Sequence, residues 1–97
     1  MQAVVRLEYN VMRALFVGGT VDNSELDLDG LEPPRHYPQN TGSGQPRYRL
    51  HHVGLRDGEA VYAVYAAPEL ADAAIENTAE ERNYPRRFGA TPLRVDG

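Results

Sequence analysis

A chain of 97 residues without cysteine makes one small domain that can form neither disulfides nor thiolate chemistry, and the usual structural zinc sites are excluded with them. A formal net charge of −4 sets it apart from basic, non-specific nucleic-acid binders. Its 41% hydrophobic and 25% charged residues are those of a globular chain rather than a disordered one, and no stretch approaches the ~20 apolar residues of a membrane span.

These bounds predict a soluble, cytoplasmic domain over residues 1–97. A chain this short buries only about two-thirds of its extended surface, so a homodimer is the expected assembly. All ten basic side chains are arginine, the residue suited to bidentate recognition of phosphate or carboxylate, although a GC-rich coding sequence produces the same bias.

Val5, Leu7, Tyr9 and Val11 alternate with Arg6, Glu8 and Asn10, a period-two pattern that predicts an N-terminal strand extension within 1–11. Met12 is then an alternative start. Met12 to Val17 is more continuously apolar, interrupted by Arg13, and predicts a central strand. Gly18-Gly19 ends it, Asp22-Asn23 is turn chemistry, and 24–28 returns as the second strand of a hairpin. Residues 30–46 carry Pro33-Pro34, Pro38, Pro46 and Gly42-Ser43-Gly44 and predict a long loop of mixed stiffness. Arg47 to Leu55 resumes as a strand. Asp57-Gly58 turns it, and the β-branched and aromatic run 60–65 completes a second hairpin. Pro68 opens a helix over 68–81, with Glu69 and Asp72 at the positive end of its dipole. Pro85 is expected to prevent its continuation, and the last residues hold one edge strand.

Several side-chain sets invite chemistry. Glu25, Asp27, Asp29 and Gly30 match the opening of a calcium loop. His36 then stands where a bidentate Glu is needed, so solvent-facing acids on a strand explain the pattern better. His51 and His52 are adjacent on a strand and are expected to point to opposite faces, which argues against a shared metal even with His36 nearby. Arg47, Arg49 and His51 fall on one strand face, where they can hold an anion by charge-assisted hydrogen bonds or pair with the acids of 25–29. His36 and Tyr37 sit on the loop leading into that strand, and Tyr62 and Tyr65 on the partner strand offer stacking surfaces. Gly18-Gly19 lacks the Lys and Ser/Thr of a phosphate loop, and neither Ser24 nor Ser43 sits in a nucleophile elbow. The basic and aromatic cluster Arg82, Tyr84, Arg86, Arg87 and Phe88 is expected to cap the acidic helix. No metal site, cofactor or catalytic residue is assigned.

The stretch Met12-Arg13-Ala14-Leu15-Phe16-Val17-Gly18-Gly19-Thr20-Val21-Asp22-Asn23 resembles the opening of a set of small phage and prophage accessory proteins of unknown function. The likeness extends over Tyr48-Arg49-Leu50 and Val61-Tyr62-Ala63-Val64-Tyr65 to about residue 84. It departs at Thr20 and Asn23, where Pro and Gly are usual. The resemblance implies a viral accessory setting in the host cytoplasm, in which small non-enzymatic proteins block or sequester host defence components.

The expected fold is α+β: a small, mostly antiparallel sheet of two hairpins, four or five strands, with one helix packed on one face. Val5, Leu7, Leu15, Val17, Leu50, Val61, Val64, Leu70 and Ile75 are the expected core. The expected function is a non-enzymatic binding protein that sequesters an anionic, nucleotide-type signal through Arg47, Arg49, His51, His36, Tyr37, Tyr62 and Tyr65. The alternative is a protein–protein inhibitor or virion component acting through the acidic 22–32 segment or the 82–88 patch. A small nucleotide hydrolase using His36, His51 or His52 stands third.

Overall fold

The computed structural model describes residues 11–29, 32–37 and 47–95. The strand expected within 1–11 lies outside them except for Val11, and so do Val5, Leu7 and Gly42-Ser43-Gly44. The elements are β1 (Val11–Val17), β2 (Glu25–Asp29), β3 (His36–Tyr37), β4 (Tyr48–Arg56), β5 (Glu59–Ala66), α1 (Asp72–Glu81), α2 (Tyr84–Phe88) and β6 (Thr91–Arg94).

Both expected hairpins form. β1 pairs antiparallel with β2, and β4 with β5. The β4–β5 turn is set by Asp57 at φ 54° and Gly58 at φ 82°, the two positive angles that match a hairpin turn to strand twist.

The sheet is mixed rather than mostly antiparallel. β1 and β5 run parallel at its centre, with Leu15 opposite Val64. The order is β2-β1-β5-β4-β3, and β6 pairs with β4 beyond β3, so β3 and β6 line the same edge end to end. The parallel pair explains the apolar runs 14–17 of β1 and 60–66 of β5, because strands buried on both faces lose the polar alternation.

Two helices, not one, follow the sheet. Pro68 belongs to a turn, and α1 begins only at Asp72, after Ala71 in extended geometry (φ −77°, ψ 153°). Pro85 does not merely stop α1. It sits in the first turn of α2, where its missing N–H costs nothing. Asn83, at φ 60°, makes the break between the helices, and Gly89, at φ 58°, ends the second.

Side chains divide between the two faces as the strand period requires. Leu15, Val17, Tyr62, Val64 and Ala66 pack under the helices with Ile75, Ala79 and Tyr84. Full burial of one side chain the size of Leu15 or Ile75 contributes about 1.5–3 kcal/mol. Leu50, Val61 and Leu70 are only half-buried.

On the other face Met12, Ala14, Phe16, Val53, Ala63 and Tyr65 form a second cluster. The Phe16 and Tyr37 rings meet at 5.6 Å although their strands are three places apart in the sheet, about 14 Å if it were flat. The sheet therefore curls around this cluster. Tyr65 ties in the 32–37 segment by donating to the Pro34 carbonyl at 2.6 Å.

Candidate functional site

The candidate surface is built on an irregularity in β4. Leu50 pairs with Tyr65 and His52 with Val64, so β4 spends one extra residue, His51, between two consecutive residues of β5. A β-bulge of this kind lets two neighbours on one strand face the same way. The expectation that His51 and His52 point to opposite faces fails here: their Nδ1 atoms are 2.8 Å apart and their rings meet edge to face at 5.0 Å. β6 supports the bulge from its outer edge, where Val95 N–H donates to the His51 carbonyl at 3.1 Å and Arg94 pairs with His52.

α1 covers this face with its N-terminal turn. The Asp72 Oδ1 atom lies 3.2 Å from His51 Nε2, and its Oδ2 accepts from Arg94 at 3.1 Å. Arg94 also reaches Glu76 at 3.5 Å. Arg49 donates to the Leu70 carbonyl at 3.2 Å and stands 3.8 Å from Asp72. The result is a chain, Asp72 to His51 to His52, braced by two arginines. Both imidazoles are buried, at 2% and 4% exposure.

Burial lowers the pKa of both histidines. For His51 the Asp72 carboxylate opposes the shift, whereas for His52, brought down to about 4, the neighbouring His51 and Arg94 add to it. Both rings are therefore neutral at pH 7, and the hydrogen-bond inventory fixes their tautomers. An ionised carboxylate only accepts, so the His51 proton sits on Nε2 facing Asp72. His51 Nδ1 is then a lone pair, and His52 must donate to it from its own Nδ1–H. The remaining nitrogen of His52, Nε2, carries a bare lone pair.

His52 lines a groove of about 380 Å³ with Glu76, Asn77, Ala79 and Glu80 of α1, Pro85 of α2, and Pro92 and Arg94 of β6. Asp72, Glu76 and Glu80 are four residues apart and share one face of α1. The groove walls thus come from regular elements rather than loops.

The residues expected to bind an anion do not assemble as one site. Arg49 and His51 share the helix side of the sheet and are engaged by Leu70 and Asp72, whereas His36, opposite Arg49 on β3, is exposed. Arg47 is exposed just before β4. Tyr37 is on the other face, against Phe16 and Tyr65. Tyr62 and Tyr65 are fully buried, so neither ring offers a ligand a stacking surface. Tyr62 lies across Gly54, where any Cβ would collide with its ring.

Gly18-Gly19 is filled from within: Tyr48 donates its hydroxyl proton to the Gly18 carbonyl at 2.6 Å, and a Cβ on Gly19 would strike that hydroxyl. Among the described residues no cluster of three or more His, Asp or Glu has metal-binding geometry. No protein-family model matches the chain, and no curated protein or solved structure matches it either. Asp72, Glu76, Glu80 and Arg94 are not among the site residues expected from the sequence. The four-residue spacing of the three acids is a visible signal, whereas Arg94 joins them only through the pairing of β6 with β4.

Proposed function

We propose that this protein is a non-enzymatic binding protein that holds a small molecule in the groove beside His52. The observation that supports this is the groove itself: about 380 Å³ of space, walled by β4, β6 and both helices, with a buried imidazole at its base whose second nitrogen is left to accept. Small-molecule sites commonly span ~300–1,000 Å³ and combine apolar walls with a few fixed polar groups. The resemblance to phage accessory proteins favours sequestration of a host signal as the biological use. The arginine face that the strand pattern offers to an anionic nucleotide gives weaker support, because Arg49 is engaged by the Leu70 carbonyl before α1 and His51 by Asp72 of α1.

Mass spectrometry of small molecules carried through purification tests this reading, followed by calorimetry of any compound found and of a panel of cyclic and ADP-ribose-type nucleotides. A stoichiometric ligand with Kd below ~100 μM supports it, and an affinity weaker than that across the panel and every co-purified compound overturns it.

A contact with another protein is the second reading. Val11, Val21 and Leu26 are 47%, 40% and 38% exposed around the β1–β2 hairpin, and β2 pairs only with β1 among the described residues. If that hairpin is a dimer contact, Leu26→Glu converts a dimer to monomer in sedimentation velocity.

A further inference from the structure

We propose that the groove selects a cationic N–H donor, an ammonium or guanidinium group, which hydrogen-bonds to His52 Nε2 and pairs with the Glu80 carboxylate. The inference rests on the groove being a ligand site and adds the chemistry of what enters it.

Three observations converge on that chemistry. The first is the His52 ring, 96% buried by its 4% exposure, with Nδ1 committed to His51. Its other nitrogen can only accept, so the group that satisfies it must donate. The second is the balance of charge around it. Arg94 borders the groove, but its guanidinium is held by Asp72 at 3.1 Å and Glu76 at 3.5 Å. Glu80 continues the same helical stripe, and among the described residues no hydrogen bond or ion pair engages its carboxylate.

The third is the penalty on the opposite choice. A phosphate or carboxylate entering the groove meets Glu76, Glu80 and a nitrogen lone pair, and must take Arg94 from two acids that already hold it. A cation meets Glu80 and the His52 lone pair, while the like charge of Arg94 is already countered by Asp72 and Glu76. Ala79, Pro85 and Pro92 leave apolar wall for the methylene stem that such groups usually carry.

Agmatine is the probe, since it carries an ammonium and a guanidinium on one short alkyl stem; adenosine monophosphate is its anionic counterpart. Imidazole ¹⁵N spectra of the free protein are expected to show His52 protonated on Nδ1 and bare on Nε2. Agmatine is expected to bind and to move the Nε2 resonance upfield toward a hydrogen-bonded nitrogen. Glu80→Gln should weaken binding about five- to ten-fold, the effect of losing one charge-assisted hydrogen bond. Glu69→Gln, outside the groove, should leave binding unchanged.

The outcomes separate the two ideas. If adenosine monophosphate binds at the groove and agmatine does not, the cationic class is wrong while a binding function stands. If the neutral His52 carries its proton on Nε2, or Glu80→Gln leaves agmatine affinity unaltered, the inference also falls. If neither probe nor any co-purified compound binds, both readings fall together.

Discussion

Tyr62 and Tyr65 sit three residues apart on one strand, are equally buried, and use their hydroxyls in opposite ways. Tyr65 donates to the Pro34 carbonyl, whereas the Tyr62 hydroxyl is buried without a partner among the described residues. Burial raises the Tyr62 pKa to about 12 and that of Tyr65 further. A satisfied buried hydroxyl contributes about 1 kcal/mol, and an unsatisfied one costs desolvation without return. Tyr65→Phe should therefore destabilise by ~1 kcal/mol and speed hydrogen exchange in 34–37. Tyr62→Phe should be neutral or stabilising in urea titrations. A loss above ~1 kcal/mol for Tyr62→Phe would mean its hydroxyl does have a partner.

The buried histidine pair predicts a pH response at the same scale. The His52 pKa is lowered from 6.5 to about 4 in the fold, so between those values the unfolded chain binds more protons than the folded one. The neutral pair's contribution is complete above pH ~6.5 and is lost as pH falls toward ~4, on the order of 3 kcal/mol. The charges facing the pair are Arg94 on β6 and Asp72 and Glu76 on α1. Urea midpoints between pH 7 and 4 should fall for the native protein and flatten in His52→Gln. A parallel fall in that variant would assign the response to His51, whose pKa burial also lowers, because Asp22 and Glu25, lowered from ordinary carboxylate values, lose their stabilising effect only at still lower pH.

Between elements, arginines do the tying. Arg82, just after α1, grips both Asp22 oxygens at 3.0 and 3.2 Å, the Phe16 carbonyl at 3.3 Å and the Tyr84 hydroxyl at 3.1 Å. It joins the β1–β2 turn to both helices. Glu25 of β2 is held from two sides, by Arg13 of β1 and Arg87 of α2, each at 2.8 Å. Exposed pairs contribute ~0–1 kcal/mol, but Arg82 is partly buried and multiply bonded. Arg82→Met should cost about 1–2 kcal/mol, and a double-mutant cycle with Asp22→Asn should show the two losses to be non-additive. Additive losses would make Arg82 a packing residue alone.

Much at this scale is legible in the sequence. Asp57-Gly58 specifies a hairpin because few residues accept its backbone angles, and β1 announces its central position by lacking polar alternation. α2 is not legible, because Pro85 is compatible with both the end of one helix and the start of the next; Asn83 at positive φ decides between them. The parallel β1–β5 pairing joins strands more than forty residues apart, and no local pattern encodes it. The candidate site escapes sequence reasoning for one reason: strict alternation does not hold through His51 and His52, and a bulge has no composition of its own.

At the scale of the molecule, two apolar clusters share one sheet. The helix side and the curled side both draw on β1 and β5, through Leu15 and Phe16 or Val64 and Tyr65. Neither cluster can melt without stripping one face from the central strands. Unfolding should be a single cooperative step, with tyrosine fluorescence and far-ultraviolet circular dichroism tracing one transition. Separate midpoints would show that the helices dissociate from an intact sheet.

The bulge also changes what a single edit of the chain can do. Strand positions normally tolerate exchange one at a time, each side chain answering to its own face. Here, deleting His51 does more than remove an imidazole. It removes the register shift between Leu50 and His52, leaves His52 without its neighbouring imidazole and strips Asp72 of its histidine partner. Length, rather than residue type, is the variable that the groove cannot absorb at this point. A variant lacking His51 is expected to keep the sheet while disrupting the groove proposed to hold a ligand.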